Sequence, residues 1–350
     1  MSVRIIIGDA LEQLRLLPAD SVNCCVTSPP YYGLRDYGVT GQIGLEPTPD
    51  EYIAALVAVF REVRRVLRKD GTLWVNIGDS YAGSWGAQSR GGAPSAASTL
   101  RGNGHVGGGP KIRSLSAIQI EAAPRRTLSM RDFDATKPKD LLGIPWMLAF
   151  ALRADGWYLR QDIIWSKPNP MPESVTDRCT KAHEYLFLLS KSERYWFDAA
   201  AIAEPLAAAS AERYGYAFGG AKTEALIEAN KTGIGQRTRI AGERELPQGR
   251  NKRSVWTVAS EPFVEAHFAT FPPALIEPCI LAGCPRGGTV IDPFAGAGTT
   301  GLVADRLGRA AILIEINPLY AAMAERRIYH DGPLFADIDL AMTDHEATEL

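Results

Sequence analysis

Two short stretches near opposite ends of the chain carry residue types at spacings that could do chemistry. The first is TVIDPFAGAGTTG, residues 289–301. A β-branched run predicts a strand ending at Asp292, and the turn Gly296-Ala297-Gly298 predicts a helix opening just past it, so backbone can approach a ligand that faces the helix N-terminus. A further strand over 310–314 delivers Glu315, an acid placed to accept hydrogen bonds from a ribose diol. The order strand, glycine turn, helix, strand, acid points to an adenosine-containing ligand. If the glycines served only close strand–helix packing, Glu315 would be left without a role. The spacing also suits NAD, but little chain follows Glu315, so strands earlier in the sequence must complete the sheet. That is a circularly permuted order, with a strand ending before Asp9 as the natural neighbour.

The second stretch is VTSPPYYGLRDYG, residues 26–38. A strand ends at Thr27 and two prolines fix the backbone just beyond, where an open α/β sheet binds its ligands. The carbonyls of Ser28 and Pro29 lack backbone partners in such a turn, and Tyr31 and Tyr32 offer flat faces beside them. An acceptor cluster beside an aromatic ring suits the exocyclic amino group of a planar base. A Pro-Pro turn with packing tyrosines is the plainer reading of the same residues. Cys24 and Cys25 read as core, and Pro278-Cys279 as part of a helix rather than a nucleophile. His183-Glu184 could be structural or functional, and Trp165 with Lys167 could contact DNA or cap a strand.

These motifs need a scaffold. Strands are predicted over 3–7, 22–27, 72–77, 157–165, 184–190, 289–291 and 310–314. Helices are predicted after Asp9, from Pro49 to a close at Asp70-Gly71, and over about 140–154, 273–282, 300–307 and 318–328. The alternation argues for an α/β domain with a mostly parallel sheet. It breaks over 82–139, which is rich in glycine, and again over about 204–253. A loose tail is expected at the end.

With 46% hydrophobic and 22% charged residues, the composition is that of a globular protein and excludes a disordered or collagen-like chain. The longest apolar stretch, 141–152, is too short to span a bilayer. No secretory signal is visible, the five cysteines form no CxxC pair, and the histidines are scattered, so a reducing cytoplasm fits and a structural zinc does not. The net charge of −2 gives no global attraction to nucleic acid, but residues 82–139 carry nine Lys/Arg against three Asp/Glu, and residues 222–254 eight against four.

Taken together, the two motifs, with GWYLRQDIIWSKPNPMPESVTDR, KAHEYLFLLSKSERYWFD, HFATFPPALIEPCI and ILIEINPLY between and after them, resemble the amino-methylating DNA methyltransferases. The resemblance is to the permuted (beta) group, in which the catalytic motif precedes the cofactor motif, and to its phage, prophage and restriction-modification members. It covers most of the chain. It implies a Rossmann-like α/β methyltransferase fold, S-adenosyl-L-methionine as cofactor, a flipped base, and a target-recognition region between the two halves. The implied division is a catalytic half over 1–81 and 140–203, a flexible basic Gly-rich insertion over 82–139, a recognition region over 204–254, a cofactor half over 255–330 and a tail over 331–350. Ser28, Pro29, Pro30 and Tyr31 match the catalytic tetrapeptide. Asp292, Phe294, Ala295, Gly296, Gly298, Thr299 and Thr300 match the cofactor loop, and Glu315 with Ile316 and Asn317 the ribose-binding acid and its flank. Asp9 and Ala10, next to Thr27, match the segment beside the cofactor adenine. His267 and Phe271 resemble the segment holding the methionine end, where many relatives have Lys in place of Phe271.

The implied reaction needs no metal and no covalent intermediate. Hydrogen bonds to Ser28 and the Pro29 carbonyl would localise the amine lone pair, and Tyr31 would stack on the base. Serine in the first position resembles the N4-cytosine branch, with N6-adenine as the rival product. A nicotinamide oxidoreductase and a non-catalytic DNA-binding protein are the readings outside this class. Arg237, Arg239, Arg244, Arg250 and Arg253, with Lys167, are the expected DNA contacts, the arginines reading bases while the first insertion wraps phosphates. Double-stranded DNA is the expected partner; a cognate restriction endonuclease and a homodimer are compatible with the resemblance.

Overall fold

A computed structural model describes residues 2–34, 38–82, 137, 139–206, 249–261, 270–332 and 337–341. The chain divides into two units, Met1–Trp196 with Ser254–Leu350, and Phe197–Arg253. In the larger unit β-branched and aliphatic runs form strands β1 (Ser2–Ile7), β2 (Val22–Thr27), β3 (Leu67–Ile77), β4 (Tyr158–Ser166), β5 (His183–Ser190), β6 (Val255–Thr257), β7 (Thr289–Asp292), β8 (Ala310–Glu315) and β9 (Asp337–Ala341). They join in one sheet in the order β6-β4-β5-β3-β2-β7-β8-β1-β9. Every neighbouring pair is parallel except the two made by β5. The first strand thus completes the sheet beside β8, as the permuted order requires.

Both faces of the sheet are covered, which is why the strands read as near-continuous apolar runs. Helices α1 (Ala10–Leu16), α2 (Pro49–Val66) and α3 (Ile144–Ala154) pack on one another over one face; α4 (Pro273–Gly283), α5 (Thr299–Arg306) and α6 (Pro318–Asp331) form a second group. Strand alternation shows in adjacent cysteines: Cys25 joins the core under α1–α3, while Cys24 meets α4, where a Cβ on Gly283 would come within 2.9 Å of its sulfur. Burial pushes both thiols well above their ordinary pKa, so they remain protonated core groups. Cys279 is likewise buried inside α4. Helix α2 starts at a capping box between Thr48 and Glu51 with Pro49 in its first turn, and buries a stripe from Tyr52 to Val66.

Several expectations are corrected. Asp70-Gly71 does not close α2: the helix stops at Val66 with Leu67 as its cap, and Asp70-Gly71 belongs to β3. The ladder with β2 jumps from the pair Val22–Leu67 to Cys24–Thr72, so the residues between form a bulge that absorbs the turn signal. The tail is not loose throughout, because 337–341 pairs with β1. Strand β6 extends the other edge beyond β4. The basic insertion over 83–136 lies outside the described residues, as does 207–248 with Arg237, Arg239 and Arg244. In the smaller unit Glu204 and Arg250 form an antiparallel bridge, and the Glu204 carboxylate accepts hydrogen bonds from both Arg250 (3.2 Å) and Arg253 (3.5 Å). Among the described residues no helix is long and apolar enough to cross a membrane.

Candidate active site at the carboxyl edge of the sheet

Strands β1, β2, β7 and β8 run parallel, so their carboxyl ends share the edge where open α/β sheets hold ligands. The chain continues from these ends as Asp9, Ser28, Pro293 and Ile316, and one cleft collects them. Its walls include Asp9, Ala10, Ser28, Pro29, Pro30, Tyr31, Phe294, Ala295, Gly296, Ala297, Thr299, Glu315 and Ile316. Leu34, residues 41–43, Thr270, Phe271, Pro293 and Tyr320 line it too.

The glycine loop is held by groups behind it. Gly296 and Gly298 have φ of 51° and 73°, left-handed values that glycine adopts without a Cβ penalty. A Cβ on Gly298 would also lie 2.7 Å from that of Ala324 in α6, so glycine there permits the close approach of two helices. Beneath the loop the buried Asp292 carboxylate accepts from Thr27 Oγ1 (2.6 Å), Thr300 Oγ1 (2.7 Å) and the Phe294 amide (3.0 Å). Burial raises its pKa to about 6 against these donors. Arg327 of α6 donates to the Ala297 carbonyl (3.0 Å) and to Thr299 Oγ1 (2.8 Å).

Glu315 is buried to 7% exposure yet opens on the cleft. One oxygen accepts from the Gly296 amide (2.7 Å), the other from the Asn317 amide (2.9 Å). Burial still raises its pKa to about 7. A carboxylate has about four acceptor sites, so the backbone donors of Gly296, Asn317 and Ile316 still leave capacity for a ribose hydroxyl.

At the other motif, Pro30 and Tyr32 build the turn. The Pro30 carbonyl accepts from Tyr52 Oη (2.7 Å), and Tyr32 is buried with its hydroxyl on the Pro47 carbonyl (3.2 Å). Among the described residues no turn or loop backbone amide donates to the Ser28 or Pro29 carbonyl. Tyr31 Oη donates to Glu184 Oε2 at 2.6 Å, and Ser28 hydrogen-bonds the same phenol. Lys167 pairs with Glu184 and covers the Trp165 ring at 4.1 Å, which ties a residue expected on DNA to the Tyr31 cluster. Trp165 is buried and donates to the Val258 carbonyl (2.8 Å), and His183 packs edge-on against Tyr185.

Of the expected cofactor positions, Asp9, Ala10, Phe294, Ala295, Gly296, Thr299, Glu315, Ile316 and Phe271 line the cleft. Thr27, Asp292 and Thr300 lie buried under the loop, Gly298 caps α5, and Asn317 caps α6 through the Leu319 amide (2.9 Å). His267 lies outside the described residues. Sequence reasoning did not find Arg327, Tyr320, Asn76 or the Tyr31–Glu184 contact. Nothing in the sequence separates Arg327 from its neighbour Arg326; only the fold turns Arg327 toward Ala297 and Thr299.

Comparison with known proteins gives a consistent picture. The chain matches the DNA methylase family over residues 22–326. It is 45% identical over 321 residues to the type II methyltransferase M.XycI of Xanthomonas campestris pv. cyanopsidis, spanning 92% of this chain and 86% of that protein. It is 42% identical over 329 residues to M.SmaI of Serratia marcescens, spanning 93% and 91%. Among solved structures it resembles PvuII DNA methyltransferase (cytosine-N4-specific), with a TM-score of 0.57 at 18% identity over 97% of this chain and 95% of that one. It also resembles a putative DNA modification methylase of Thermus thermophilus complexed with S-adenosyl-L-methionine, with a TM-score of 0.55 at 22% identity over 98% and 100%. At these identities the two structures establish the shared methyltransferase fold.

Proposed function

The chain belongs to the DNA methylase family and is a DNA methyltransferase, and on that premise we propose that it transfers the methyl group of S-adenosyl-L-methionine to the exocyclic N4 of a cytosine turned out of double-stranded DNA at a specific site. The observation that carries this reading is that the Ser28–Pro29–Pro30–Tyr31 turn and the Gly296–Glu315 pair open on a single cleft.

The cleft suits the cofactor by its donor set. Glu315 has acceptor capacity for ribose hydroxyls, Ala10, Phe294 and Ile316 give apolar walls for a purine, and the glycine loop brings backbone close. S-adenosyl-L-methionine supplies a methyl group already activated on a sulfonium. The protein's own task is therefore the amine, whose lone pair is delocalised into the base. The Ser28 hydroxyl oxygen and the Pro29 carbonyl accept hydrogen bonds from the amino group and draw the nitrogen toward tetrahedral geometry, a contact worth more in the transition state than before it. Tyr31 gives the flipped base a stacking face that offsets the cost of unstacking, ~1–3 kcal/mol per base. In-line placement of the two reactants supplies the rest of the advantage.

The choice of N4-cytosine over N6-adenine rests on Ser28 in the first position of the motif. A cognate restriction endonuclease belongs to the same reading. Sequencing of DNA from a host expressing the protein, by a method that separates N4-methylcytosine from N6-methyladenine, tests it. N4-methylcytosine at one recurring motif is expected; N6-methyladenine there would overturn the base assignment, and unmodified DNA the whole reading.

A further inference from the structure

Tyr31 is held at the ring and at the hydroxyl by residues outside the motif that contains it. Its ring lies on the backbone of Gly78, just past β3, where a Cβ would come within 2.6 Å of Cε2. Only glycine leaves room for the ring there. Its phenol donates to Glu184 Oε2 at 2.6 Å. The Asn76 amide donates to the same oxygen (3.2 Å) and to the Tyr185 carbonyl (3.1 Å), while Lys167 pairs with the other oxygen. Lys167 is fixed in turn over the Trp165 ring. The acceptor of the Tyr31 hydrogen bond is thus a charge-paired carboxylate locked by neighbours on three strands or their ends.

We propose that Glu184 is a positioning residue for methyl transfer: through the phenol of Tyr31 it fixes the plane of that ring, so that the flipped base meets a preset stacking surface. This rests on the reading of Tyr31 as the base-stacking face. The phenol remains a donor throughout the working range, since burial and the Glu184 charge push its pKa well above 10. An untethered tyrosine ring rotates about two side-chain bonds, and the base would have to order it at the moment of reaction. The tether removes that step in advance.

The test is a double-mutant cycle on the full-length protein with Tyr31→Phe, Glu184→Gln and the pair, reading kcat, KM for DNA, cofactor affinity and the fluorescence of 2-aminopurine at the target position. Each single change is expected to lower kcat about tenfold, the effect of one hydrogen bond, with cofactor affinity unchanged. The double variant should lose less than the product of the single losses, because both changes remove the charged Tyr31–Glu184 contact, while Tyr31→Phe also deletes the phenol's contacts with Ser28 and Asn76 and Gln keeps a weaker, neutral acceptor. Losses that multiply, or a wild-type kcat in Glu184→Gln, overturn the proposal. Should Glu184→Gln fail to fold, Tyr31→Phe decides alone: it keeps the stacking ring and deletes one oxygen, and wild-type kcat in it refutes the tether. Wild-type protein that methylates DNA while the variants disagree with the cycle defeats this inference only; wild-type protein without activity defeats the functional reading and this one with it.

Discussion

With Glu315 as the proposed ribose-binding acid, cofactor affinity is expected to depend on pH near neutrality. The Glu315 carboxyl has its pKa raised to about 7 because burial outweighs the backbone amides that favour the charged form, those of Gly296 and Asn317 foremost. In that role Glu315 would accept hydrogen bonds from a ribose diol, so binding would favour the ionised state, and affinity is expected to fall as pH drops through 7. For one proton the ionised fraction declines from ~0.9 at pH 8 to ~0.1 at pH 6, which weakens binding ~10-fold, or ~1.4 kcal/mol. Glu315→Gln removes the charge and turns an amino group toward one of the two backbone N–H donors. Its affinity should be lower at pH 8 by ~1.5–3 kcal/mol, the range for a charged hydrogen bond. The variant should also lose the slope between pH 6 and 8, which separates Glu315 from the buried Asp292 beneath the loop. Calorimetric titration with S-adenosyl-L-methionine at pH 6, 7 and 8 measures both effects. Wild-type affinity that stays flat over this range, or a Glu315→Gln variant that retains the slope, would refute the reasoning.

Ser28→Ala should keep cofactor affinity but lose methyl transfer by ~10²-fold, as for deletion of one transition-state donor or acceptor; single-turnover rates on DNA decide it. Asp292→Asn leaves one of three donors facing an amide NH₂ and should cost ~1–3 kcal/mol at pH 7 in urea unfolding. Because the folded carboxyl has its pKa raised from 3.8 to about 6, the native state binds a proton more tightly than the unfolded chain. Wild-type protein should therefore gain stability relative to Asp292→Asn as pH falls from 6 to 4, and a gap independent of pH would contradict the assignment. Gly298→Ala combines a left-handed backbone with a 2.7 Å approach to Ala324 and should lower thermal stability by ~2–4 kcal/mol without touching Glu315.

Much of the site could be read in advance because its parts announce themselves locally. The run TVID, two glycines in a turn and a second strand ending in an acid are neighbours in sequence, and they meet across the pair β7–β8 as that order implies. The same holds for Thr27-Ser28-Pro29-Pro30, where prolines and a strand end mark a turn at the ligand edge. What escaped was built from distant residues. Tyr31 and Glu184 stand 153 positions apart, and nothing in the dipeptide His183-Glu184 says which aromatic it will meet. The bulge at Arg68–Gly71 misled because Asp-Gly is a turn signal on its own, while Asn23, the β2 residue it stands opposite, lies on another element. Strand β6 is three residues long and β9 lies on the sheet's edge. Their pairing comes from the neighbouring strand rather than from a period in their own sequence.

The place of β1 in the sheet has a consequence for how the protein is made. Strand β1 leaves the ribosome ahead of every other strand of the sheet, yet its two partners, β8 and β9, are separated from it by roughly 300 residues. The equilibrium cost of so long a closure grows only as the logarithm of length, about 0.6 kcal/mol per doubling, so the finished sheet tolerates it. The kinetic burden is larger, since non-local pairings form late. Strands β2 to β5 can assemble under α1–α3 during synthesis, but Val3, Ile5 and Ile6, buried in the folded protein, must wait in water with both edges unpaired until β8 emerges. From the emergence of β1 until that of β8 the nascent chain therefore carries an apolar strand with open edges, and the cleft cannot close around Asp9 before β7 and β8 arrive.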